Sequence, residues 1–177
     1  MSQRASGYER LPFDSYQTPA WVTAALIPHI FGRIVPRRAI VHEPAAGHGN
    51  MVRAMQHHGI ICTSDDIELS GTDFLLTKEK RQAIITNPPY SDAERFIEHA
   101  LRLTEPFGLV AMLLRADYDS ARSRTHLFDN CPAFAMKIVL LRRIQWFDKK
   151  LGGPSFNHAW YVWDHEHTGP TTLGYAG

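Results

Sequence analysis

Ala39-Ile40-Val41-His42-Glu43-Pro44-Ala45-Ala46-Gly47-His48-Gly49-Asn50 decides how this chain folds. Ala39 to Glu43 reads as a buried strand, and Pro44 with the two glycines marks a tight turn. Asn50 to His58 reads as a helix released at Gly59, a residue suited to a left-handed helix end. A strand, a glycine turn and a helix in that order form the first two-thirds of a βαβ unit, and the next strand should lie parallel to the first.

The same grammar recurs downstream. Ile60 to Thr63 reads as a strand ending at Asp65-Asp66, and Ala83 to Thr86 as another ending at Asn87-Pro88-Pro89-Tyr90. Ser91 and Asp92 are candidate caps for a helix through Leu103, with Phe96, Ile97, Ala100 and Leu101 on its apolar face. Leu109 to Leu114 is a third apolar strand, and Ser120 to Phe128 reads as a short helix. Lys137 to Leu141 and Ala159 to Trp163 read as a late antiparallel pair; the Trp160-Tyr161-Val162-Trp163 run is taken as a core-and-edge strand. Upstream, Thr18 as cap and Pro19 at the first helical position introduce a helix carrying Trp21, Val22, Ala25, Leu26 and Ile30. The expectation is an α/β domain with an open, mostly parallel sheet, helices on both faces and an antiparallel C-terminal hairpin. Residues 1–11 are expected to be a flexible N-terminal arm and residues 12–177 a single domain.

Composition narrows the function classes. The 177 residues carry 19 Lys and Arg against 18 Asp and Glu, a net charge of +1, so a generally basic surface is not available to attract a polyanion. Cys62 and Cys131 are far apart among apolar residues, as expected of reduced, buried thiols in a cytoplasmic protein. No apolar run approaches the ~20 residues of a membrane span. Met1 to Gly7 has no following apolar stretch of the signal-peptide kind. His57-His58 and His165-Glu166-His167 lack the second ligand pair that a metal site needs, and no metal is expected.

In an open α/β sheet ligands sit beyond the carboxyl ends of the strands, where the unusual residues fall. The glycines of the first turn allow close approach of the backbone, and the helix start offers free N–H groups; the turn is also compatible with a purely structural βα connection. Glu43 at the strand end would repel a pyrophosphate but suits a ligand with an amine or sulfonium charge, which favours S-adenosylmethionine over a nicotinamide dinucleotide. Asp65 or Asp66, with Asp66 preferred, can accept hydrogen bonds from both hydroxyls of a ribose, although either could serve as a loop cap. Asp73 and Phe74 could supply an acceptor for an adenine amine and a ring against its face.

Asn87-Pro88-Pro89-Tyr90 is the most specific segment. Asn-Pro-Pro-aromatic arises by composition alone in on the order of one chain in a thousand of this length. An exocyclic amine on a heteroaromatic ring or carbonyl has a delocalised lone pair and is a weak nucleophile. Two acceptors on its two hydrogens, the Asn87 side-chain oxygen and the Pro88 carbonyl, favour a pyramidal nitrogen and free the lone pair. Consecutive prolines hold those acceptors in place, and Tyr90 would stack on the ring of an extruded base. Arg115, Arg122 and Arg124, with Arg142 and Lys149 beside Trp146 and Phe147, could contact phosphates or lie on a solvated face.

The sequence resembles the amino-methyltransferases of DNA that modify adenine N6 or cytosine N4. Asn87 to Tyr90 is similar to their catalytic motif, and Glu43 to Asn50, including Pro44, Ala45, Gly47 and Gly49, to their cofactor motif. Tyr16-Gln17-Thr18-Pro19 resembles the segment that closes over the methionine end of the cofactor, which assigns Tyr16, Thr18 and Pro19 to that site. The order of closing segment, cofactor loop and catalytic loop resembles the gamma-type arrangement and small phage-type adenine enzymes, over about residues 12 to 164. The resemblance implies a Rossmann-like class I methyltransferase fold, S-adenosylmethionine as cofactor and DNA as partner. His48 stands where Thr or Ser is usual, and no segment reads as a separate target-recognition domain, which points to loose specificity, a homodimer or a specificity partner. RNA adenine, a protein glutamine amide and a non-catalytic cofactor-binding subunit are the alternatives.

Overall fold

The computed structural model describes residues 16–146 and 156–177, so the N-terminal arm, Phe147, Lys149 and the glycine-rich loop at 152–155 lie outside the described residues. Helix α1 spans Ala20–Ile34. Pro19 takes the position before the first helical residue, extended at φ −62° and ψ 144°, and no side chain caps this end. Thr18 is not the expected cap; its side chain is buried instead. The glycine-turn unit then forms as the sequence predicts: β1 (Ile40–Glu43), the turn, and α2 (Asn50–His57). Gly59, at φ +76°, turns the chain into β2 (Ile61–Ser64). β3 (Ala83–Thr86), α3 (Ala93–Thr104) and β4 (Leu109–Arg115) repeat the pattern. Asp92 sits at the start of α3, but its carboxylate pairs with Arg95 at 2.9 Å rather than capping the helix. The expected helix at Ser120 to Phe128 is two 3₁₀ turns, Tyr118–Ser120 and Arg122–Leu127.

Strands β5 (Phe134–Leu140), β6 (His158–Asp164) and β7 (Thr172–Ala176) complete a sheet of order β2-β1-β3-β4-β6-β5-β7. β2, β1, β3 and β4 are parallel neighbours, so their carboxyl ends share one edge. β6 runs antiparallel between β4 and β5. That interior position corrects the core-and-edge reading of its tryptophans: β4 pairs with one edge and β5 with the other, and Trp160, Tyr161 and Trp163 are fully buried. β7, parallel to β5, was not foreseen, because a central Gly174 and the exposed Leu173 and Tyr175 give it no buried-strand signature.

Both faces of the sheet are covered. α1 and α2 pack with Val41, Ile85, Ala111, Leu113 and Trp160 on one side. Phe96, Ile97, Ala100 and Leu103 of α3 pack with Ile84, Val110, Met112 and Trp163 on the other. β4 therefore reads as a continuous apolar run, since alternate residues serve opposite cores. Two indole N–H groups tie surrounding elements to the sheet: Trp160 donates to the Val22 carbonyl at 2.9 Å and Trp163 to that of Leu127 at 2.7 Å. Cys62 and Cys131 are free and half-buried rather than buried; burial pushes both thiols up, Cys62 to about 11. Among the described residues no helix is long and apolar enough to cross a membrane.

Candidate active site

The carboxyl ends of β1, β2 and β3 open into a cavity of about 260 Å³. Each strand delivers one polar residue as it ends: Glu43 closes β1, Asp66 follows β2, and Asn87 follows β3. Tyr16, Gln17 and Thr18 form a strap on one side, the turn Pro44 to Gly47 a second wall, and Asp73, Phe74, Leu75 and Phe96 a third.

Glu43 is 1% exposed. Its Oε1 accepts from the Ala45 N–H at 3.3 Å, and its Oε2 has no hydrogen-bond partner among the described residues. Burial pushes its carboxyl up to about 8; the neighbouring Thr86 hydroxyl, short of hydrogen-bond geometry, and the Ala45 N–H oppose this, and the nearby Asp66 charge adds to it. A buried carboxyl of this kind favours a cationic group beside it, whose charge would restore ionisation.

Asn87 is oriented by its surroundings. Its Nδ2 donates to the Tyr16 carbonyl at 3.3 Å, and because that carbonyl can only accept, the amide nitrogen is placed there. The Oδ1 is buried without a hydrogen-bond partner among the described residues. Asn87 and Pro89 both line the cavity.

The acidic pair after β2 divides. Asp66 lines the cavity, with Oδ2 accepting from the Gly47 N–H at 2.8 Å and Oδ1 from the N–H groups of Glu68 and Leu69. Asp65 does not line it; its carboxylate lies 3.6 Å from the buried His42 imidazole. Asp73 lines the cavity and accepts from the Leu75 N–H at 2.9 Å. Phe74 lines it as well, its ring 5.0 Å from that of Phe96.

Other residues singled out from sequence lie outside the cavity wall. Pro19 starts α1, Gly49 takes a left-handed conformation at φ +77° before α2, and the Asn50 amide oxygen binds the Arg53 guanidinium. Pro88 is buried, and Tyr90 is half-buried beside the cavity with its ring 6.1 Å from His158, the planes 27° apart. Three arginines are engaged within the chain: Arg115 holds Asp117 through two contacts and lies over Phe156, Arg124 lies over Tyr118, and Arg142 over Trp21. Arg122 is exposed, and Lys149 lies outside the described residues. Among the described residues the ligand-type side chains that gather are Glu94, Glu98 and His126, with His126 already paired to Glu98 at 3.2 Å.

Sequence reasoning missed Gln17, Met51, Ile67, Thr72, Ser91, Asp92 and Arg95, all in the cavity wall. Ile67 carried a usable signal, an apolar residue directly after the preferred acid and beyond the end of its strand. Asp92 and Arg95 were visible only as helix-start residues, since sequence spacing does not reveal which end of a helix faces a cavity.

No protein-family model and no curated protein sequence matches the chain. Solved structures do match in shape. A Listeria monocytogenes structure described as a class I S-adenosylmethionine-dependent methyltransferase superposes with TM-score 0.65 at 13% identity, covering 90% of this chain and 65% of that one. The methyltransferase subunit of a type I restriction-modification system from Streptococcus thermophilus gives TM-score 0.64 at 13% identity over 87% of this chain and 46% of its own. The M protein of the type I restriction enzyme EcoKI gives 0.57 at 12% identity over 87% and 44%. The chain thus spans less than two-thirds of the length of these structures. The likeness defines the fold, a Rossmann-like class I methyltransferase architecture with a mostly parallel sheet and an antiparallel strand within it.

Proposed function

We propose that the chain is an S-adenosylmethionine-dependent methyltransferase acting on an exocyclic amine, the N6 of adenine in DNA. The observation that carries this reading is the buried Asn87 Oδ1, without a hydrogen-bond partner among the described residues, on a residue lining a cavity that the buried Glu43 also lines. The cavity residues fit the cofactor's chemistry. Glu43 suits its cationic groups, Asp66 its ribose hydroxyls, and Asp73 with Phe74 its adenine; Tyr16 and Thr18 of the strap would cover its methionine end. When bound, the cofactor supplies an electrophilic methyl on a sulfonium, so the amine needs no strong base.

The chain's own residues supply orientation. Asn87 Oδ1 and the Pro88 carbonyl accept from the two amine hydrogens, and Pro88 and Pro89 fix the backbone that carries them. Tyr90 packs against the substrate ring, and the proton lost from nitrogen passes to solvent. DNA as substrate is supported by the Asn-Pro-Pro-Tyr motif, by the order of the three motifs, and by likeness in fold to two methyltransferase subunits of restriction-modification systems. Arg115, Arg122, Arg124, Arg142 and Lys149 are its candidate phosphate contacts.

Asn87→Ala tests the assignment. Methyl transfer to DNA should fall on the order of 100-fold or more, while the dissociation constant for adenosylhomocysteine, measured by calorimetry, stays within a few-fold of the parent. Unchanged turnover would remove Asn87 from the reaction.

A further inference from the structure

The strap that borders the cavity touches both of the turns it faces. At one residue the Tyr16 carbonyl accepts from Asn87 Nδ2 at 3.3 Å. At the next, Gln17 Oε1 accepts from the His48 N–H at 3.1 Å. The Gln17 amide also lies directly against Gly47: a methyl group built on that glycine would collide with the Gln17 side-chain nitrogen. Gly47 is at φ +49°, so a side chain there would meet both backbone strain and the Gln17 amide. The close approach that the sequence attributes to a ligand is made here by another part of the chain. On its far side the strap runs straight into α1, which Trp160 anchors to the sheet through the Val22 carbonyl at 2.9 Å.

We propose that Gln17 is a positioning residue that latches the strap to the glycine turn and thereby fixes the side-chain amide of Asn87. With the latch closed, the Tyr16 carbonyl stays where it holds Asn87 Nδ2, and the Asn87 oxygen is the atom left buried without a hydrogen-bond partner among the described residues. Without it, the strap loses its hydrogen bond to the glycine turn and is held by its run into α1 and by the Tyr16 ring, 5.6 Å from that of Trp146. The Asn87 amide then loses the acceptor that distinguishes its nitrogen from its oxygen, and the two can exchange places. The latch contact on the turn side is to a backbone N–H, so a histidine at position 48 serves as well as any other side chain. The consequence for catalysis rests on the methyltransferase reading; the consequence for the Asn87 amide does not.

The test uses the full chain labelled with ¹⁵N, with the Asn87 side-chain amide signal assigned by its loss in Asn87→Asp. Gln17→Met keeps the length of the side chain and removes the acceptor; Gln17→Glu keeps an acceptor. In Gln17→Met the Asn87 amide protons should shift and exchange with solvent several-fold faster, and in Gln17→Glu they should remain close to the parent. In steady-state methyl transfer to DNA, Gln17→Met should lower kcat by on the order of 10- to 100-fold with KM for DNA little changed, and Gln17→Glu should restore most of it. An Asn87 signal unmoved in Gln17→Met overturns the latch, whatever reaction the protein performs. A signal that moves while kcat does not change overturns the positioning role. A signal that moves in a parent protein transferring no methyl group supports the latch and places the failure in the proposed activity.

Discussion

A carboxyl without access to water stays protonated or acquires a cation, and Glu43, held up to about 8 mainly by burial, is in that position. Its folded value lies above the ordinary 4.5, so the folded protein binds a proton that the unfolded chain releases. This group's contribution to stability is fully present below about pH 4.5 and is lost as pH rises through about 8. The melting temperature of the unliganded protein should therefore fall from about pH 5 to pH 8 relative to Glu43→Gln. Parallel melting curves would show that the site is better hydrated than its burial implies. Asp66 and Asp65 make a second contrast. Asp66→Ala should weaken adenosylhomocysteine binding by roughly 10- to 100-fold, the range of a hydrogen bond to a charged group, and Asp65→Ala should leave it nearly unchanged. Equal effects would detach the ribose contact from Asp66. The sequence reading prefers Asp66, but spacing alone does not separate the two. In the fold Asp65 lies against the buried His42 imidazole, while the Gly47 N–H holds Asp66 at the cavity. Neither partner is deducible from spacing along the chain.

At the scale of elements, most of the strand and helix order was legible because the apolar runs of β1, β3 and β4 are covered on both faces and the amphipathic face of α3 has helical spacing. Errors gathered where tertiary position overrides local pattern. Cys62 is half-buried because β2, the strand the sequence indicates there, lies at the sheet edge, and β7 is a strand only through its pairing with β5. The turn from α3 into β4 is more constrained than its sequence suggests. A methyl on Gly108 would come within 2.6 Å of the Thr104 carbonyl oxygen and 2.7 Å of that of Gln82, both backbone atoms. Gly108→Ala should therefore destabilise the fold by about 1–3 kcal/mol, read as a lower midpoint in urea with an unchanged slope. An unchanged midpoint would show that this turn can relax.

For the molecule as a whole, the sheet order brings the strap, the glycine turn, Asp66 and Asn87 around one cavity from positions distant in the chain. That convergence was legible in the sequence, because each polar residue follows an apolar strand and parallel strands end on the same side. The latch between Gln17 and the glycine turn was not, since it depends on how closely the strap lies against the turn. With a net charge of only +1, the chain provides little long-range attraction for any polyanion, so under the proposed function affinity for DNA would rest on local arginines and the base pocket. The measurement that tests the central claim most directly is transfer of a deuterated methyl group from S-adenosylmethionine to unmethylated duplex DNA, followed by digestion and mass spectrometry, with single-stranded DNA, RNA and a protein extract in parallel. Labelled N6-methyladenine from DNA, absent with Asn87→Ala, is the expected result. Label confined to RNA or to protein glutamine would contradict the substrate, and no label in any sample would contradict the enzyme itself.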